Sequence, residues 1–166
     1  AFFSSELEAF LLMAREENLD PTKIYGSYAG AMGMPQFIAS SYRHFAVDFS
    51  RKGKRDLVNN TEDAIGSVAN YFAQSGWKSK EPVIFPVAHN GPNNYISTLE
   101  TNRRNPELKY TLQELEQRGI QLSSIASLSP ETRVAIVALE ETQGPTYWLG
   151  LNNFYVITRY NRSNHY

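Results

Sequence analysis

Up to Gly76 the apolar residues of this chain recur every three or four positions, and from Trp77 onward they fall into short runs bounded by proline and glycine. That switch from a helical to a strand-like period admits an α+β fold, mostly helical, with the helices first. Leu7, Phe10, Leu11 and Ala14 form one stripe behind the Ser5/Glu8 capping box, which predicts a helix to Glu17. Pro35 suits a first helical position, so a second helix is expected from about Gln36 to Val47. Thr61 is expected to cap a third, with Ile65, Val68, Ala69 and Phe72 on one face and Gly76 as its stop. Beyond it, Pro82–Val87 reads as a strand limited by its prolines, His89–Asn94 as a loop, and Thr111 with Glu114 as the start of a short helix closed by Gly119. Val134–Glu141 and Tyr147–Leu151 read as strands around a Gly144-Pro145 turn. The expected division is a helical part over 1–76, a small mixed part over 77–151, and a return to the helical part over 152–166.

Composition removes several chemistries. With 166 residues the chain can bury a core without staples, and with no cysteine it can form neither a thiolate metal cluster nor a cysteine nucleophile. Sixteen basic and 17 acidic side chains leave a net charge of −1, without the footprint of a nucleic-acid binder. No apolar run approaches the ~20 residues of a spanning helix. The start lacks the basic and apolar stretches of a signal peptide, and Phe154–Tyr160 begins an element shortly before the sequence stops. An internal fragment, cut at both ends, is the expectation.

What remains is carboxylate, hydroxyl and amide chemistry. Gly26-Ser27-Tyr28-Ala29-Gly30 spells the Gly-x-Ser-x-Gly pattern of serine hydrolases, but that pattern acts only between a strand and a helix, and no strand is expected before Gly26. Glu16 and Glu17 could supply the acid of a glycosidase, Glu17 being nearer the expected apolar stripe. Asp48-Phe49-Ser50-Arg51-Lys52-Gly53 has the outline of a calcium loop, with oxygen ligands at its first and third positions and glycine at the sixth. Lys52 stands at the fifth, however, and Asn59 at the twelfth, so a loop that has lost its metal is expected, with the Lys52 ammonium in the ion's place against Asp48 or Asp63. Ten Tyr, nine Phe and two Trp, interspersed with Asn and Gln, suit a cleft that grips sugars. Tyr71, Tyr160, Asn161 and Tyr166 are placed to line one.

The segment from Gly26 to Tyr42 (GSYAGAMGMPQFIASSY), the block Asp63–Phe72, and the blocks Tyr147–Gly150 and Asn153–Asn161 together resemble the signature of the lytic murein transglycosylase B family. The resemblance implies a lysozyme-like core with a small β-containing subdomain. The implied enzyme is periplasmic and cleaves the β-1,4 bond between N-acetylmuramic acid and N-acetylglucosamine in peptidoglycan, closing a 1,6-anhydro ring. In that mechanism one Glu acts first as acid and then as base, so no cofactor is implied. The family's acid lies in a Val-Glu-Thr-x-Trp-Gly motif that these 166 residues do not contain, which places it upstream and leaves Glu17 as the fallback. Ser27, Gln36, Tyr71, Tyr160, Asn161 and Tyr166 are implied to bind glycan. The family's calcium loop maps onto Asp48, Ser50, Lys52, Lys54 and Asp63, with Lys52 replacing an acid. The implied partner is the glycan strand, met by a monomer whose parent could carry an outer-membrane lipid anchor. A glycan-binding module without catalysis is the alternative.

Overall fold

The computed structural model describes residues 2–87, 95–99, 106–122 and 127–161. The expected His89–Asn94 loop lies outside them. The chain divides into two compact units, Ala1–Gln74 and Ser75–Tyr166.

The first unit holds α1 (Phe2–Glu16), α2 (Ala39–Phe45) and α3 (Thr61–Gln74), with a 3-10 turn at Pro21–Lys23. Its core is built on small and flexible side chains: Ala9, Met13 and Ala14 of α1 with Met32, Phe37, Ala39, Tyr42 and Leu57. The expected stripe of α1 is therefore displaced. Of its four residues only Ala14 is buried, while Leu7 and Leu11 are 59% and 52% exposed. Periodicity gives the direction of an apolar face, but the close approach of α1 to α2 selects the narrower alanine side. The capping box also fails. The helix starts three residues before Ser5, whose hydroxyl donates back to the Phe2 carbonyl at 2.8 Å. In α3 the cap moves one residue, to Asn60, whose side chain accepts from the Glu62 N–H at 3.1 Å. The expected face of α3 turns outward as well: Asp63, Ala64, Gly66 and Ser67 are buried and Ile65 is exposed. Gly66 is required there because a Cβ would stand 2.5 Å from that of Phe49.

The second unit carries a four-stranded antiparallel sheet in the order β1-β4-β3-β2, from β1 (Ile84–Pro86), β2 (Tyr110–Thr111), β3 (Arg133–Glu141) and β4 (Gly144–Gly150). β3 and β4 form a hairpin with Ala135 opposite Gly150 and Glu141 opposite Gly144. Gly144 and Pro145 thus belong to the strand, and the turn is Thr142-Gln143. Val134, Ile136 and Ala138 face one way into a core with Leu115 of α4 (Leu112–Gln117) and with Tyr147 and Leu149. α4 starts where the sequence says. Thr111 Oγ1 accepts from Glu114 N–H at 3.2 Å, and Glu114 Oε2 accepts from Thr111 N–H at 2.8 Å. Those bonds to Thr111 hold the Glu114 carboxyl below its ordinary range. α5 (Asn152–Tyr160) packs on β3 and β4, with Phe154 against Gly150. Its buried Asn153 accepts from Lys78 N–H at 2.9 Å and donates to the carbonyls of Lys78 and Glu81, pinning the segment that leads into β1.

Candidate functional site

The glycine-rich segment of the first unit is neither strand nor helix. Ser27 ties it at three points: its N–H donates to Ala31 O at 2.9 Å, its carbonyl accepts from Gly30 N–H at 2.8 Å, and its hydroxyl oxygen accepts from Ala31 N–H at 3.1 Å. Met32 and Phe37 then exchange backbone hydrogen bonds across a tight loop whose Gly33 and Gln36 both have positive φ, 67° and 54°. The helix expected from Gln36 accordingly begins only at Ala39. A left-handed residue at Gln36 cannot propagate a right-handed helix. The start of α2 is covered from α1 instead, where Glu6 accepts from the Ser40 N–H at 3.1 Å. Gln36 donates one side-chain N–H to Gly33 O at 2.9 Å and is otherwise exposed, which fixes the amide while leaving it polar capacity for a ligand. Ser27 and Tyr28, also exposed, line a cleft of about 290 Å³ with Phe3, Leu7 and Phe10 of α1. No strand feeds Gly26 among the described residues, so the serine-hydrolase reading lacks its scaffold.

Tyr71 lies on α3 and packs its ring against Phe37 and Phe45, with centroids 6.0 and 4.6 Å away, which places it beside the Gln36 loop. Ser27, Gln36 and Tyr71 thus share one unit. Tyr160, half-buried at the end of α5, and the exposed Asn161 belong to the other, and Tyr166 lies outside the described residues.

The acids at the end of α1 have structural partners. Glu16 receives Arg43 through three hydrogen bonds, the closest 2.7 Å, and this contact first of all holds its carboxyl below the usual range. Glu17, its side chain 9% exposed, accepts from Arg55 Nε at 2.6 Å and from the neighbouring guanidinium nitrogen. The same guanidinium lies 5.4 Å over the Tyr42 ring, and the Tyr42 hydroxyl donates to Arg55 O at 2.9 Å. As the fallback acid Glu17 is therefore poorly suited: its carboxylate is committed to an ion pair. Sequence reasoning misses Arg55, because a pair 38 positions apart leaves no periodic signal. Burial, and then the Glu17 charge, push the Tyr42 phenol up to about 12. A phenol held neutral above its unfolded value contributes stability that is intact below pH ~10 and is lost as pH rises towards ~12. Comparing alkaline unfolding of Tyr42→Phe with wild type should show a shallower decline across that window, after a loss of about 1 kcal/mol at neutral pH for the missing hydrogen bond.

The loop from Asp48 to Asp63 is folded around backbone N–H groups. Asp48 accepts from Lys52 and Gly53 N–H at 2.9 and 2.7 Å, and the fully buried Asp63 accepts from Ser50 and Asp56 N–H at 2.8 and 3.1 Å. Burial opposes ionisation of Asp63, but the N–H groups of Ser50 and Asp56, with the Ser50 side chain and the Lys52 charge behind them, hold the carboxyl below its ordinary value. The expected contact of the Lys52 ammonium with Asp48 or Asp63 is not made: among the described residues Lys52 takes part in no ion pair. Backbone donors at hydrogen-bonding distance satisfy the carboxylates without ordering a long side chain.

Residues 1–166 match the family described as transglycosylase SLT domain along their whole length. The chain belongs to this family. It is 44% identical over 170 residues to membrane-bound lytic murein transglycosylase B of Escherichia coli (strain K12), covering 99% of this chain and 43% of that protein. Among solved structures it is similar to soluble lytic transglycosylase SltB1 of Pseudomonas aeruginosa, 44% identical with a TM-score of 0.84 over 98% of this chain and 52% of the other. It is also similar to Escherichia coli Slt35 in complex with calcium, 40% identical with a TM-score of 0.81 over 99% of this chain and 49% of the other. The chain thus spans about half the length of the relatives it matches. Within the transglycosylase SLT family the fold is as expected, α+β and mostly helical, with a lysozyme-like core and a small β-containing part.

Proposed function

We propose that the protein of which these residues form part is a peptidoglycan lytic transglycosylase, cleaving between N-acetylmuramic acid and N-acetylglucosamine to leave a 1,6-anhydromuramoyl end. The observation that carries this reading is the likeness to lytic transglycosylases over 98–99% of the chain, including the segment whose backbone sets Ser27 and Gln36 at the surface. In this mechanism a carboxylic acid protonates the leaving oxygen. The resulting carboxylate then takes the proton of the sugar's own C6 hydroxyl as it attacks C1, so no water and no second carboxylate are consumed. The role of this chain is to hold the glycan: Gln36 and Ser27 through hydrogen bonds, Tyr71 beside them, and Tyr160, Asn161 and Tyr166 as further contacts. A fixed amide discriminates sugar hydroxyls because it donates and accepts at once. The acid itself is assigned outside these residues because the Val-Glu-Thr-x-Trp-Gly motif that the resemblance implies does not occur in them, and the pairing of Glu17 with Arg55 agrees with that assignment.

The proposed partner is the glycan strand, bound by a monomer in the periplasm. Among the described residues no helix is long and apolar enough to cross a membrane, and the E. coli relative is named as membrane-bound, so a lipid anchor on the parent is part of the proposal. The engaged state of Glu17 also favours a second reading, a glycan-binding module without catalysis. Digestion of purified sacculi by the full-length protein separates the two. Release of 1,6-anhydromuropeptides is expected, and binding without any release would assign the module. In the same protein Gln36→Ala should weaken chitooligosaccharide binding by about 1–3 kcal/mol, the cost of leaving polar groups unpaired, and unchanged affinity in a calorimetric titration would remove Gln36 from the site.

A further inference from the structure

Asp48, Ser50 and Gly53 give this loop the outline of a calcium loop, and a similar transglycosylase has been solved in complex with calcium, but the residues present do not fit that ion. Calcium takes six to eight oxygens, several of them carboxylate, at about 2.3–2.6 Å. Here the fifth loop position, between Ser50 and Gly53, is Lys52, a cation where a calcium loop supplies an oxygen ligand. Arg51, Lys54 and Arg55 add three more positive charges within the same five residues. Arg55 alone of these is in an ion pair among the described residues, with Glu17. Ser50 is committed too: its hydroxyl oxygen accepts from Asn60 Nδ2 at 2.7 Å while its N–H donates to Asp63. Among the described residues no three acidic or imidazole side chains converge as a metal cage.

The loop nonetheless keeps a turn that brings its carboxylates inward. Arg51 and Gly53 are left-handed, with φ of 58° and 85°, so that successive N–H groups point at Asp48. Asp56 closes the far side by accepting from Val58 and Asn59 N–H at 3.1 and 2.9 Å, and these bonds, that to Asn59 foremost, hold its carboxyl low. Backbone dipoles are fixed by the fold and need no dissociable ion to compensate buried negative charge.

We infer that this loop is metal-independent: N–H donors from Ser50, Lys52, Gly53 and Asp56 do the work of the ion, and among the residues that disfavour calcium Lys52, at a ligand position, is the decisive one. The inference rests on the loop alone and stands whether or not the protein cleaves peptidoglycan. The test follows thermal unfolding of the full-length protein with calcium up to several millimolar or with chelator, together with calorimetric titration of calcium. Wild type is expected to give the same midpoint in both and no saturable heat. Lys52→Asp restores a third carboxylate beside Asp48 and Asp63 and should acquire a saturable heat with a Kd below about 1 mM, the range of extracellular calcium modules, together with a midpoint that rises with calcium and falls with chelator. A saturable calcium response in wild type overturns the inference. A folded Lys52→Asp that ignores calcium overturns the assignment to Lys52. Should that variant not fold, Lys52→Asn takes its place and is expected to bind calcium more weakly, whereas no response from it again counts against Lys52.

Discussion

Gly33→Ala should lower the unfolding free energy by about 2–4 kcal/mol. Gly33 sits at φ 67°, where a side chain costs about 1–2 kcal/mol by itself, and its added Cβ would lie 2.6 Å from the Leu57 carbonyl oxygen, a backbone atom that cannot swing aside. That carbonyl already accepts from Met34 N–H at 2.8 Å, so moving it breaks the bond that joins the 32–37 loop to the residues before α3. Gly30 supplies the control. It is also left-handed, at φ 81°, but a Cβ there meets nothing within 4 Å, and Gly30→Ala should cost only about 1–2 kcal/mol. Urea unfolding of both variants measures the difference. Equal losses would show that backbone conformation, and not the approach of Leu57, sets the requirement. Because Gln36 donates both its backbone and its side-chain N–H groups into this loop, Gly33→Ala should also weaken glycan binding, whereas Gly30→Ala should do so less.

Glu17→Gln should cost about 2–3 kcal/mol of stability and leave turnover on sacculi unchanged within about twofold. Removing one partner of a buried pair typically costs ~3–5 kcal/mol because the other charge is stranded, and the smaller figure applies because Arg55 keeps 25% of its side-chain exposure and can recruit water. Arg55 also stacks on Tyr42, whose hydroxyl bonds the Arg55 carbonyl, so the loss should extend to the midpoint of the whole first unit. Chemical unfolding gives the first quantity, and turnover of the full-length protein well below its midpoint gives the second. General acid–base catalysis contributes about 10²–10⁴-fold. A fall in kcat of that size at unchanged stability would return the acid role to Glu17.

The parts legible in the sequence are those whose determinants lie within a few residues. α4 and its capping box are read from Thr111 and Glu114 because both bonds span three positions, and the two long strands are read from the β-branched residues of β3 and the aromatic pair of β4, with β4 starting earlier than expected at the Gly144-Pro145 end. α1 is legible as a helix and not as a packed surface, since Leu7 and Ala9 compete for the interior and only the approach of α2 decides between them. In the candidate site the residue types of Gly26–Gln36 point to a binding loop. The left-handed turn at Gln36 is masked by Pro35, which fits a first helical position just as well as the buried place it holds in the turn.

By itself, then, the sequence determined the class of fold, the order of helices and strands, the family, and the chemistry that cysteine-free carboxylates, hydroxyls and amides allow. Tertiary structure alone decided which face of each helix is buried, that Glu17 belongs to Arg55, and that the Asp48–Asp63 carboxylates are held by N–H groups, with the Lys52 ammonium outside any ion pair among the described residues. The physical reason is range. Backbone propensity and capping act over three or four residues, whereas burial and charge pairing act across 13 or 38 positions that only the folded chain brings together.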